Sequence, residues 1–199
     1  MPEREFVAVL HGHGGAFATG GVDQATFYDS SGDDLYIAGS LRGILTGNGF
    51  WNEAEGFDST VAHATGGGTD RVEFYDSTGD DTVSAWSNRV TISGIGFSHD
   101  ARGFERTTSF ASSGYDVANL YDSAGNDALT ARPTQVTLAG SGYSNEVRGF
   151  DRAKALSTAG GTDQAAFYDS SGSDTYYAGY VRSVLTGAGY WNEAEGFDS

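Results

Sequence analysis

An eight-residue run returns four times, and its spacing limits what this chain can become. Phe27-Tyr28-Asp29-Ser30-Ser31-Gly32-Asp33-Asp34 is followed by related runs ending at Asp81, Asp127 and Asp174. Their tyrosines, Tyr28, Tyr75, Tyr121 and Tyr168, lie 47, 46 and 47 residues apart. A fixed period of this size marks a repeat architecture, in which each unit buries its apolar face against its neighbours. The chain divides into the degenerate end of a preceding repeat (1–20), repeats at 21–67, 68–113 and 114–160, and an incomplete repeat at 161–199, all in one continuous array. Residues 21–59 and 161–199 match better than adjacent units do. Their offset is 140 residues, as from Tyr28 to Tyr168, and points to duplication of a three-unit block. The sequence stops inside a repeat and opens without a secretory signal. Both features fit an excerpt of a longer array; a closed ring, its first strand completing the last unit, is the alternative.

Within each unit small and large apolar residues alternate. Ala25/Phe27, Val72/Phe74, Ala118/Leu120 and Ala165/Phe167 share one face, as on a half-buried strand. The Asp-Ser-x-Gly-Asp run breaks that strand into a turn. A second strand carries Tyr36/Ala38 and their equivalents, and a third carries Leu45, Ile92, Leu138 and Leu185 inward. Each of these is followed by paired glycines, such as Gly47 and Gly49, which suggest a bulge or a close backbone approach. Asn52-Glu53-Ala54-Glu55-Gly56 reads as a turn, with a fourth strand from Phe57. No 3.6-residue apolar period survives more than a turn, so no helix is expected. The fold class is therefore all-β. A β-solenoid, of the parallel β-helix or β-roll kind, would spend each unit on two coils of roughly 23 residues. A β-propeller with one four-stranded blade per repeat is the alternative. The turn signals recur within the unit, as coil corners do, and favour the solenoid.

Three acidic positions recur in every unit: Asp23, Asp70, Asp116, Asp163; Asp29, Asp76, Asp122, Asp169; and Asp34, Asp81, Asp127, Asp174. Stacked coils would align them in files whose like charges need compensation. Two readings are open. Each carboxylate caps its own turn by accepting backbone N–H groups, or a hard cation bridges successive turns through carboxylates and carbonyls. His11-Gly12-His13 is a weak metal motif beside a glycine-rich loop. His63 and His99 stand in different repeat positions, and no nucleophile, phosphate-loop or zinc-protease motif is present, so no enzyme is expected. A glycan-active β-helix, the weakest alternative, would need acids outside the repeat pattern. Arg42, Arg89 and Arg182 are periodic and expected to pair with nearby acids. Phe57, Phe104, Phe150 and Phe197 read as a core stack. Phe50, Phe97, Tyr143 and Tyr190, with Trp51 and Trp191, read as inter-coil packing or an exposed sugar-stacking stripe.

The formal charge of −16, with only 11 Lys+Arg, disfavours nucleic acid and anionic membranes as partners. No apolar run approaches the ~20 residues that span a bilayer. With no cysteine there is neither a disulfide framework nor a thiolate metal site.

Gly32-Asp33-Asp34-Leu35-Tyr36 and its equivalents resemble the Gly-x-Asp-x-Leu core of the RTX (haemolysin-type) calcium-binding repeats. That resemblance implies calcium on Asp34, Asp81, Asp127 and Asp174, with Asp29, Asp76, Asp122 and Asp169 as neighbouring ligands. It spans about five residues per unit and lacks the nine-residue tandem period of that family. The whole 46–47-residue unit resembles repeats of very large bacterial cell-surface or extracellular proteins. This implies secretion and a structural or adhesive role. The expectation is a structural segment that self-associates end to end into filaments, with a calcium- or glycan-binding module as the alternative.

Overall fold

A computed structural model describes residues 6–199. Among them there are strands and turns and no α-helix. Strands β1 (Val7–Leu10) and β2 (Gly14–Phe17) precede the first full unit. Unit one is β3 (Gln24–Tyr28), β4 (Leu35–Gly39), β5 (Arg42–Gly47), β6 (Phe50–Glu55) and β7 (Ser59–His63). Unit two is β8 (Arg71–Tyr75), β9 (Thr82–Trp86), β10 (Arg89–Gly94), β11 (Phe97–Arg102) and β12 (Arg106–Phe110). Unit three is β13 (Val117–Tyr121), β14 (Ala128–Arg132), β15 (Gln135–Gly140), β16 (Tyr143–Arg148) and β17 (Arg152–Leu156). Unit four contributes β18 (Gln164–Phe167), β19 (Thr175–Ala178), β20 (Arg182–Gly187) and β21 (Tyr190–Glu195).

The strands stack into two sheets, one of 11 and one of 10, that form a β-solenoid and not a propeller or barrel. A full unit holds five strands, where alternation in the sequence indicates four. Asn52–Glu55 is not a turn: it lies in β6, with Asn52 and Ala54 pointing inward. An inward asparagine hides the period-two pattern from a count of apolar residues. Phe57, Phe104 and Phe150 fill the bend between fourth and fifth strands rather than opening a strand. The paired glycines mark no bulge: the first, Gly47 in unit one, ends the third strand, and the second, Gly49, lies in the two-residue hairpin turn Asn48-Gly49 with a positive φ of 82°.

The path is also less simple than two coils per unit. From its first strand the chain crosses to the other sheet and lays down the second. It then doubles back through the antiparallel third and fourth strands, as in β4-β5-β6. It crosses again for the fifth strand, which pairs in parallel with the first, as β7 does with β3. A third crossing starts the next unit. Three crossings is an odd number, so consecutive units exchange sheets. The meanders of units one and three lie in the ten-stranded sheet, and those of units two and four in the other.

Period-two burial forms the core. Ala25, Phe27, Tyr36, Ala38, Leu45, Ala54 and Ala62 of unit one are all within 1% of fully buried. Within a sheet large residues stand beside alanines, Phe27 beside Ala62 and Phe74 beside Ala38, and across the sheets large rings meet, Phe27 and Tyr36 at 5.5 Å between centroids. Each fully buried Phe, Leu or Ile contributes about 1.5–3 kcal/mol. Outward positions carry cross-strand ion pairs between third and fourth strands. Arg42 meets Glu53 at 3.3 Å, Arg89 meets Asp100 at 2.9 Å and Arg182 meets Glu193 at 2.8 Å.

Candidate functional site: the acidic turns

The Asp-Ser-x-Gly-x-Asp turn carries the chain from the first strand to the second, across the two sheets. Its last aspartate folds back onto its own start. Asp34 Oδ2 accepts the Ser30 N–H at 2.7 Å and the Ser30 hydroxyl at 2.9 Å. The same hydroxyl oxygen accepts the Gly32 N–H at 3.3 Å. Asp81, Asp127 and Asp174 repeat this with Ser77, Ser123 and Ser170, at 2.8, 2.8 and 3.0 Å to the serine N–H. These are the four candidate calcium ligands, and each carboxylate holds its own turn.

Other acids join one turn to the next. Asp29 Oδ2 accepts the N–H groups of Thr65 and Gly66, both at 2.8 Å. Asp76 receives Ser112 N–H at 2.6 Å, and Asp122 receives Thr158 and Ala159 at 2.9 Å. Asp33, Asp80 and Asn126 accept from Thr69, Tyr115 and Thr162. Only a carbonyl-type oxygen is needed there, so asparagine substitutes freely. Asp169 holds the equivalent place in unit four.

A third file runs through the buried acids. Asp34 N–H donates to Asp70 Oδ1 at 2.8 Å, and Asp70 N–H donates to Glu105 Oε2 at 2.7 Å. Asp81, Asp116 and Asp151 form the same chain, as do Asp127, Asp163 and Asp198. Asp23 likewise accepts from Phe6 and donates to Asp58. The last acid of each chain was not singled out in the sequence, although it follows Gly-Phe in every unit.

Burial without enough donors perturbs two of these groups. Asp70 and Asp116 are both pushed up to about 6, first by burial and further by their acidic neighbours. Glu105, Asp29 and Asp34 face Asp70; Asp76, Asp81 and Asp151 face Asp116. In unit three Ser157 donates its hydroxyl to Asp163 at 2.6 Å. Ala64 and Ala111 stand at that place in the other turns and offer no donor. Asp29, Asp34 and Asp70 bring one carboxylate oxygen each within 4.8 Å of one another, and so do Asp76, Asp81 and Asp116.

The second oxygen of the turn aspartate differs between units. It lies over the glycine that ends the third strand: Gly47, Gly94, Gly140 or Gly187. A methyl group on any of these would overlap the carboxylate, which accounts for the first glycine of each pair. In units three and four the hydroxyls of Tyr143 and Tyr190 donate to it at 2.8 and 2.7 Å. Units one and two have Phe50 and Phe97 there, and Asp81 Oδ1 is buried without a partner. The carboxylate and burial together drive the Tyr190 hydroxyl up to about 12, burial being the larger cause.

The remaining candidates have structural employment. His99 is buried among Tyr36, Thr60 and Gly39. Its Nδ1 accepts from Thr60 at 2.6 Å and its Nε2 donates to the Gly39 carbonyl at 3.0 Å, while Tyr36 donates to Thr60. Burial lowers its imidazole to about 4. Asn145 and Asn192 occupy the same place in their units and donate to the carbonyls of Trp86 and Arg132, both at 2.9 Å. His11, Tyr28 and His63 stack in one file, at centroid distances of 4.7 and 5.2 Å. Tyr75 stacks on Phe110 and Trp86 on Tyr121 in the same manner. Phe97, Tyr143 and Tyr190 are buried, so they form no exposed stripe; Trp51 remains exposed.

No protein-family model, curated protein or solved structure matches the chain.

Proposed function

We propose that the chain is a structural, adhesive repeat segment of a bacterial cell-surface or extracellular protein, whose stacked units supply length. The observation that carries this reading is the use made of the recurring acids. From unit to unit their oxygens are taken up by backbone N–H groups of their own turn or of the adjacent one. Such groups stitch rungs together and do not converge on a substrate. Five strands per unit shared between two sheets lengthen the solenoid by about 12 Å, taking ~4.8 Å per strand. The acidic surface keeps an elongated particle soluble. In a bacterium producing the protein, an impermeant amine-reactive label should mark it on intact cells, and external protease should remove it. Protein protected from both until lysis would refute the location.

The triads Asp29/Asp34/Asp70 and Asp76/Asp81/Asp116 favour a second reading, calcium bound between turns of units one and two. The donors suit a hard cation, but each triad offers three carboxylates where calcium takes 6–8 oxygens. Several of those oxygens already accept N–H groups. Bound calcium would hold Asp70 and Asp116 ionised at all but acidic pH. A glycan-binding role draws less support, because the outward rings in the stacked files spend their faces on one another.

A further inference from the structure

We propose that the outer face of the ten-stranded sheet binds an acidic oligosaccharide, with Arg71 and Arg106 clamping a sugar carboxylate and Trp51 taking the apolar face of a ring further along the same glycan. The proposal rests on the adhesive reading and names the class of ligand to which the surface adheres.

The site lies on one outward file that crosses six strands. Register sets Ser144, Arg106, Arg71, Leu35, Thr46 and Trp51 side by side on β16, β12, β8, β4, β5 and β6. All six alternate with buried neighbours and so face away from the core. The six strands are interior to the sheet, flanked by β15 on one side and β2 on the other. The stacked aromatic files run elsewhere, through rings at strand ends such as Tyr28, Tyr75 and Tyr121.

Arg71 and Arg106 are the anomaly in this file. They stand directly opposite each other on neighbouring strands, where like charges destabilise. Neither enters an ion pair among the described residues, although acids outnumber bases 27 to 11. Every other described Lys or Arg is engaged: all but Arg132 meet carboxylates, and Arg132 lies 4.0 Å over the Tyr168 ring. Stacking does not require the pair. Gln24 and Ser59 hold these places in unit one, and Val117 and Arg152 in unit three, where Arg152 is bonded to Glu193 at 3.0 Å. A repulsive pair outside the repeat pattern, its donors unspent, is the arrangement an anion relieves. The forked donors of a guanidinium match a carboxylate, and two such forks converge on one group.

The surroundings suit a sugar. Both arginines line a hollow of about 300 Å³ with Ser144, Thr108, Glu73 and Glu146. The two hydroxyls can donate to a sugar oxygen, and the two glutamates can accept from sugar hydroxyls. Trp51 lies three rungs from Arg71, ~14 Å at ~4.8 Å per strand. It is 42% exposed, and no described ring or guanidinium stacks on it. Its equivalent Trp191 is instead covered by Arg152 and Arg182, at 6.0 and 5.9 Å. The free ring offers apolar area to the C–H face of a pyranose. Charge decides against other occupants. A net −16 opposes a polymer charged at every residue, whereas an occasional carboxylate meets only the local clamp. Extended peptides join a sheet by pairing at an open edge. These strands are already paired on both sides and present side chains alone.

The test applies the full chain to an array of uronate-containing oligosaccharides of varied linkage, each beside its carboxyl-reduced counterpart. Wild-type protein should be retained by at least one uronate and not by its reduced form. Trp51→Ala and Arg106→Gln should each weaken that binding by about tenfold or more, with an unchanged strand signature in circular dichroism. A second reading needs no ligand. Arg106→Gln should be more favourable to Tm when Arg71 is present than in an Arg71→Gln background, because it then relieves a repulsion. The reverse order would show that the two arginines support the fold together, and would overturn the proposal. An array with no preference for the carboxylate would overturn it as well. So would retention that salt abolishes and neither variant alters, which is bulk charge attraction. Stronger retention by acidic peptides of matched charge would replace the glycan with a protein partner. A chain that is exposed on the cell surface and retained by no uronate sinks the site alone; a uronate-binding chain confined to the cytoplasm sinks only the proposed location.

Discussion

Phe97→Tyr should stabilise the protein. Asp81 Oδ1 is buried beside Gly94 and the Phe97 ring with no hydrogen-bond partner. Units three and four show the same aspartate, glycine and ring arrangement with a hydroxyl added, and there the bond forms at 2.8 and 2.7 Å. The phenol therefore needs no new space. A hydrogen bond to a charged group contributes about 1.5–3 kcal/mol, and desolvating the added hydroxyl offsets part of that. The expected gain is about 1–2 kcal/mol, or several degrees in Tm for a chain of this size. The reverse change, Tyr143→Phe, should cost less, about 1 kcal/mol, because Asp127 Oδ1 retains the Ser123 hydroxyl at 3.1 Å. Urea denaturation of both variants measures the pair. A Phe97→Tyr protein that keeps its fold and gains nothing would show that Asp81 Oδ1 is already satisfied, and would refute the reasoning.

Gly94→Ala places a methyl in the Asp81 carboxylate and should destabilise strongly, by about 3 kcal/mol or more, read from the same urea curves. Asp81→Asn keeps an acceptor for the Ser77 N–H and should cost about 1 kcal/mol. Asp81→Ala removes it and should cost about 1–3 kcal/mol beyond that; equal losses would contradict turn capping. Asp70 and Asp116 are raised to about 6, so their contribution is complete below the ordinary carboxylate pKa and is lost as pH rises through 6. His99, lowered to about 4, works the other way, contributing above 6.5 and losing that as pH falls. In His99→Asn, which copies the residue of the other units, the urea midpoint should therefore fall from about pH 5 to about pH 7; a rise would contradict the burial of the two acids.

The fold class was legible because the inward set is apolar and periodic: Ala25, Phe27, Tyr36, Ala38 and Leu45 all lie where alternation puts them. The fifth strand was not, because the fourth carries its inward polar residue at Asn52 and reads as a turn. The exchange of sheets between units follows from the number of crossings, which no local pattern encodes. In the turns, the capping serine and glycine sit within four residues of their aspartate and could be read directly. The partners that join turns lie about 36 residues away, as Thr65 does from Asp29, and became visible only once the rungs were stacked. Asp58, Glu105, Asp151 and Asp198 carried a signal, an acid after each Gly-Phe, whose use depends on a backbone N–H 35 residues earlier.

The central claim is that the recurring acids hold backbone and not metal. Thermal unfolding of the wild-type chain in chelator and in millimolar calcium tests it most directly. Turns closed by their own N–H groups predict the same Tm in both solutions. A ligand at a hundred times its dissociation constant adds about 2.7 kcal/mol to the folded state. A calcium-dependent rise in Tm of that size, abolished together by Asp81→Asn and Asp34→Asn, would contradict the claim and assign the triads to the cation.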